Sequence, residues 1–177
     1  MKYKKLIITL SSICSLFLII ICGILLIICG YFFGYKTTVK RGYKEFYKNT
    51  EVFCKIPGLD TNYVPQAIAY NDVYEFFVIA GYDSEGEPSN LYILDKNGKE
   101  LKKVSIKLEN DSLYTGHAGG IVTFNNIIFV SSGKKVYKLS VQNVLNCEGV
   151  VVCDAVTKVD VSGATMFVYN NYLFVTE

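Results

Sequence analysis

Two hydrophobic rhythms divide the chain. From Leu6 to Phe33, 28 residues run without a charge, broken only by Thr9, a few serines, two glycines and three cysteines. At a helical rise of ~1.5 Å per residue such a run exceeds the ~20 residues that span a bilayer. Lys5 and Lys36 flank it, and Tyr31, Phe32, Phe33 and Tyr35 stand where interfacial aromatics are expected. The pattern predicts a basic N-terminal tail over 1–5 and a transmembrane signal-anchor helix over 6–33. A cleavable signal core has only ~7–15 apolar residues and a small-residue cleavage site, and no Ala occurs before Ala67.

From about residue 60 the rhythm changes to short apolar runs cut by Asn, Ser and Gly, the signal of an antiparallel meander. One arrangement recurs. Ala67-Ile68-Ala69-Tyr70-Asn71-Asp72 precedes Phe76-Phe77-Val78, and Ile121-Val122-Thr123-Phe124-Asn125-Asn126 precedes Phe129-Val130. Met166-Phe167-Val168-Tyr169-Asn170-Asn171 precedes Phe174-Val175. Each copy reads as apolar strand, aromatic, Asn-containing turn and a return strand. The aromatics are spaced 54 and then 45 residues apart, near the ~40–50 residues of propeller repeats. A unit of this kind cannot bury its faces alone and stacks on its copies. The competing reading is a set of unrelated hairpins within one sandwich.

In chain order, 34–55 reads as a juxtamembrane stalk and 56–177 as the β domain. Asp83 to Asn90 is an acidic surface loop. Asn97-Gly98 between apolar runs predicts a hairpin. Gln142 to Cys147 suits a helical turn, and Val150–Val152 and Val159–Val161 suit short strands. Charge is unevenly spread: residues 1–44 carry seven Lys or Arg and no acid, whereas 45–177 carry eleven against sixteen acids, a net of −5. That balance argues against a nucleic-acid partner. Basic residues nearly tie on the two sides of the apolar run, so charge does not orient it.

At VPQAIAYND (64–72), LYILDKNGKELKKVSI (91–106) and GHAGGIVTFNNIIFV (116–130) the sequence resembles exported bacterial β-propeller proteins, related in shape to strictosidine-synthase-like and lactonase-like propellers. Gly116-His117 is also similar to WD-repeat blades, although no Trp-Asp follows. The resemblance implies an incomplete β-propeller of about three antiparallel blades, the last unfinished, and with the transmembrane helix predicted above the expected fold class is mainly β. It implies a cell-membrane, single-pass protein with its domain outside the cytoplasm. Half a ring leaves strand edges open. The expectation is therefore that the chain is the N-terminal portion of a longer product, or that it associates with copies of itself or a protein partner through those edges.

The resemblance also directs attention to the starts of the innermost strands, where a central channel would lie: Gln66, His117 and Thr165, with Glu177 beside them. His117, the chain's one histidine, reads either as a ligand contact or as a structural tie between blades. No HExxH, GxSxG, P-loop or GxGxxG pattern occurs, and no catalytic residue or metal ligand is assigned. Calcium is the one cofactor the lactonase-like propellers suggest. Asp83, Glu85 and Glu87 read either as a calcium loop or as a solvated turn. Cys147 and Cys153 either close a small disulfide loop or remain free thiols, with Cys54 left over. The expected function is a membrane-anchored binding or interaction module. A calcium-assisted propeller hydrolase and a non-functional fragment are the alternatives.

Overall fold

The computed structural model describes residues 15–30 and 42–177. The chain divides into two compact units, Met1–Val52 and Phe53–Glu177.

In the first unit, residues 15–30 form a helix, α1, and Lys44–Asn49 form a second, α2. Side chains tie off the end of α2: Asn49 Nδ2 donates to Glu45 O at 2.9 Å and Thr50 Oγ1 to Phe46 O at 2.7 Å. Among the described residues no helix is long and apolar enough to cross a membrane. The transmembrane helix expected over 6–33, and with it that part of the expected fold class, is corrected on this finding. The described part of α1, 16 residues, covers ~24 Å against a hydrocarbon core of ~30 Å. Residues 6–14 and 31–33 of that expectation lie outside the described residues, as do the tail 1–5 and residues 34–41 of the stalk.

The second unit is mainly β and holds three sheets. Sheet 1 begins as a meander of β1 (Tyr63–Asn71), β2 (Phe76–Asp83), β3 (Asn90–Asp95) and β4 (Glu100–Lys107). Sheet 2 begins as a second meander of β5 (Gly120–Phe124), β6 (Ile127–Ser132) and β7 (Lys135–Ser140). After β7 the chain leaves sheet 2. It forms helix α3 (Val141–Asn146) and then β8 (Val150–Val152), which pairs in parallel with the outer edge of β4. It returns as β9 (Ala155–Lys158) to close the edge of β7. The expected strand over Val159–Val161 is absent, and β9 occupies the residues just before it. Sheet 3 is the hairpin of β10 (Thr165–Tyr169) and β11 (Tyr172–Thr176). The three aromatic-Asn hairpins thus open three separate sheets.

Alternation along the strands divides each sheet into two faces. On one face of sheet 1, Phe76, Val78, Leu91, Ile93 and Val104 are buried in a core shared with Ile121, Ile128, Val130 and Leu139 of sheet 2. Each such aliphatic side chain contributes roughly 1.5–3 kcal/mol on burial. The opposite face of sheet 1 buries Tyr63, Ile79, Tyr92 and Leu94 beneath Cys54 and Ile56, and the Phe53 ring lies 5.4 Å from that of Phe77. The β unit therefore starts a few residues before 56. Its packing leaves no room at Gly81, where a Cβ would stand 2.6 Å from the Tyr63 ring and closer still to Val64 O.

The Asn turns differ between copies. Asn170 and Asn171 both adopt left-handed backbones (φ 49 and 65), as a two-residue type I′ loop requires. Asn125 is also left-handed, at φ 50. In the first copy, however, Asn71 still belongs to β1 and pairs with Phe76. The turn there runs over residues 72–75, and its left-handed residue is Glu75. The Asn97-Gly98 hairpin forms as expected. Asp95 Oδ1 accepts from the backbone N of Asn97 and of Lys99 at 2.9 Å each.

Candidate functional site

The first strands of the three sheets, β1, β5 and β10, lie side by side, with β5 between the other two. Where their turns meet they enclose an open cleft of about 710 Å³, within the ~300–1,000 Å³ usual for small-molecule sites. Tyr70 and Asp72 come from the first copy, Thr123 and Asn125 from the second, and Tyr169 and Asn170 from the third. The same repeated segment therefore contributes one wall three times over.

Side-chain hydrogen bonds fix the first two walls to each other. Asn71 is 1% exposed; its Nδ2 donates to Asn125 O at 2.9 Å, and its Oδ1 accepts from Tyr74 N at 2.9 Å. Thr123 Oγ1 donates to Tyr70 O at 2.8 Å. The Tyr74 hydroxyl donates to Asn126 Oδ1 at 3.1 Å and accepts from Gln142 Nε2 at 3.3 Å. At the far end of β5, Ser131 Oγ donates to Gly163 O, which ties sheet 2 to the segment entering β10. A Cβ at Gly120 would collide with that serine hydroxyl.

The lining is aromatic and amide-rich. The Tyr70 ring lies 4.7 Å from that of Phe77, tilted by 49°. Phe167 lies parallel to Phe174, its cross-strand partner, at 4.8 Å and 4°. Tyr169 is 64% exposed. Among the described residues the lining holds one carboxylate, Asp72, and no Lys, Arg, His or Cys. The side-chain amides of Asn125, Asn170 and Asn171 carry no hydrogen bond among the described residues, which leaves both ends of each free for a ligand.

The residues expected to be functional from the sequence lie elsewhere. Gln66 sits at the bulge of β1 between Pro65 and Ala67, exposed at a small recess of about 200 Å³ that it shares with Ile56 and Ile79. His117 is exposed, with its ring 4.3 Å from that of Tyr82 and tilted by 32°. It fastens the end of β2 to the loop entering β5. In the same joint Ser89 Oγ donates to Gly116 O, and Tyr114 Oη accepts from Ala118 N at 3.1 Å. Burial holds the Tyr114 phenol above its ordinary pKa. Thr165 opens β10 opposite Thr176, and Glu177 follows it, all three exposed. None of these four residues lines the cleft. Among the described residues no group of three His, Cys, Asp or Glu is placed to hold a metal ion.

Cys147 and Cys153 are both free thiols, so the bridge expected as one alternative is not formed. Cys147 Sγ donates to Val144 O at 3.3 Å, and the buried Cys153 Sγ lies 3.1 Å from Ala155 O. Burial raises the Cys153 thiol pKa, so it is a poor nucleophile there.

No family model matches the chain, and no curated protein matches it. The cleft must be read from its own chemistry. In the sequence its residues are legible as the recurring aromatic-Asn segments, which point there to a repeat and its turns rather than to a ligand site.

Proposed function

We propose that residues 53–177 form a binding module whose ligand enters the cleft between β1, β5 and β10. The observation that supports this reading is the convergence of three similar aromatic-Asn segments on one concavity, with an exposed tyrosine ring and, among the described residues, amides without hydrogen bonds at its surface. The wall that Asn71 and Thr123 hold in place is preorganised, so little ordering cost falls on binding. A lining that holds, among the described residues, a single carboxylate and no basic side chain or thiol suits recognition better than acid–base or nucleophilic chemistry. The resemblance to blades of exported bacterial propellers agrees with this reading.

The test is a fragment screen on the full chain followed by amide chemical shifts. Small neutral fragments are expected to move the resonances of Tyr70, Thr123, Asn125, Tyr169 and Asn170 together. Fragments that collect instead around Gln66 or His117, or that leave the cleft resonances still, would overturn it.

A further inference from the structure

Resting on that reading, we infer that the cleft takes a neutral carbohydrate chain. The lining excludes other ligand classes by charge. Among the described residues it offers no cation to a phosphate, sulfate or carboxylate, and residues 45–177 carry a net −5 that repels polyanions at longer range. An apolar ligand fits no better. It would strip water from Asp72 and from the amides of Asn125, Asn170 and Asn171 without replacing the lost hydrogen bonds.

What the cleft does offer is a pairing of flat apolar surface with groups that both donate and accept. Tyr169 presents an open ring, and Phe167 is held in a fixed plane by its stack on Phe174. The amides stand at left-handed turn positions beside them, at φ 50, 49 and 65. A pyranose ring matches both features at once. Its C–H face packs on an aromatic ring, and its hydroxyls can exchange hydrogen bonds with the amides and donate to the Asp72 carboxylate. The cleft runs along three turns and stays open, which suits several sugar units in a row better than one enclosed monosaccharide.

The experiment titrates the full chain with maltotetraose, cellotetraose, chitotetraose and mannotetraose, read by calorimetry and by the emission of its tyrosines, since the sequence has no Trp. At least one sugar is expected to saturate. Tyr169→Ala should weaken it tenfold or more, and Asn170→Ala and Asp72→Asn severalfold. Tyr172→Ala, exposed on the same hairpin but outside the lining, should leave it unchanged. Equal melting temperatures for the four variants would show that the fold is intact. The inference is overturned if no sugar saturates, if Tyr169→Ala binds as the parent does, or if adenosine displaces the sugar more strongly than the sugar binds. Should fragments fill the cleft while every sugar fails, the carbohydrate assignment falls and the binding module stands. Should fragments avoid the cleft, both fall.

Discussion

Replacing Asn71 with alanine should loosen the joint between the first two sheets more than any exposed substitution nearby. The side chain is buried at 1% exposure and spends both ends of its amide: one on Asn125 O, one on Tyr74 N, each at 2.9 Å. Each lost bond removes about 1 kcal/mol of net stabilisation, and a partner left dry costs up to ~3 kcal/mol. Both partners sit in turns that water can reach in part, so the lower half of that range applies. The expected loss is about 2–3 kcal/mol. In a unit of this size that corresponds to a fall of roughly 8–12 °C in Tm. Urea unfolding of the full chain, followed by circular dichroism, measures it. Asn71→Asp keeps the acceptor for Tyr74 N and loses the donor to Asn125 O, so at neutral pH it should also weaken the joint, with its charge facing a carbonyl. A loss below about 0.5 kcal/mol for Asn71→Ala, the range of an ordinary surface change, would refute the claim that this amide holds the cleft wall.

Three further outcomes follow from the packing. His117→Ala should cost about 0.5–1.5 kcal/mol through the lost stack on Tyr82, while His117→Phe restores it and neither changes ligand binding at the cleft; a binding loss in both variants would return His117 to the site. Burial raises the Tyr63 phenol pKa, with the nearby Tyr92 adding to it. The folded state therefore keeps its proton where the unfolded chain gives it up. Stability should be level below about pH 10 and fall as pH rises above that, with Tyr63→Phe giving a shallower fall in alkaline melting scans. A parent slope no steeper than the variant's would contradict this. Gly81→Ala forces a Cβ against Val64 O and the Tyr63 ring and should destabilise by about 1–3 kcal/mol in thermal melts, with an unchanged Tm as the contrary result.

Local rules made much of the β unit legible. Asn97-Gly98 marked its hairpin because a left-handed glycine and an Asx-type side chain act within a few residues of each other. The repeated segments marked three hairpins for the same reason. What stayed hidden depends on contacts between distant residues. Tyr70 aligns with Phe124 and Tyr169 in sequence, yet its turn takes four residues and Asn71 ends a strand, because that amide bonds across to Asn125 O as well as to Tyr74 N of its own turn. Val150–Val152 read as a strand, but nothing in its composition indicated that it would join sheet 1. The apolar stretch at the N-terminus looked long enough to span a bilayer by composition alone, whereas the described helix covers only 15–30. The cleft could not be located because its members belong to three separate segments. Gln66 and Thr165 lie nearer the other ends of β1 and β10, and His117 in the loop entering β5.

The excursion through α3 and β8 entangles the two larger sheets. Sheet 1 receives its last strand only after sheet 2 has laid down its third, and sheet 2 receives its own last strand only after the chain has come back. Lys102 of β4 reaches across to the carbonyls of Leu145 and Cys147 at the end of α3, adding a second clasp. Neither meander is therefore a finished foldon, and the pair should open and close as one cooperative block. Amide protons in β4, β7, β8 and β9 should exchange on a common timescale, while those of the β10–β11 hairpin, outside the braid, are free to exchange earlier.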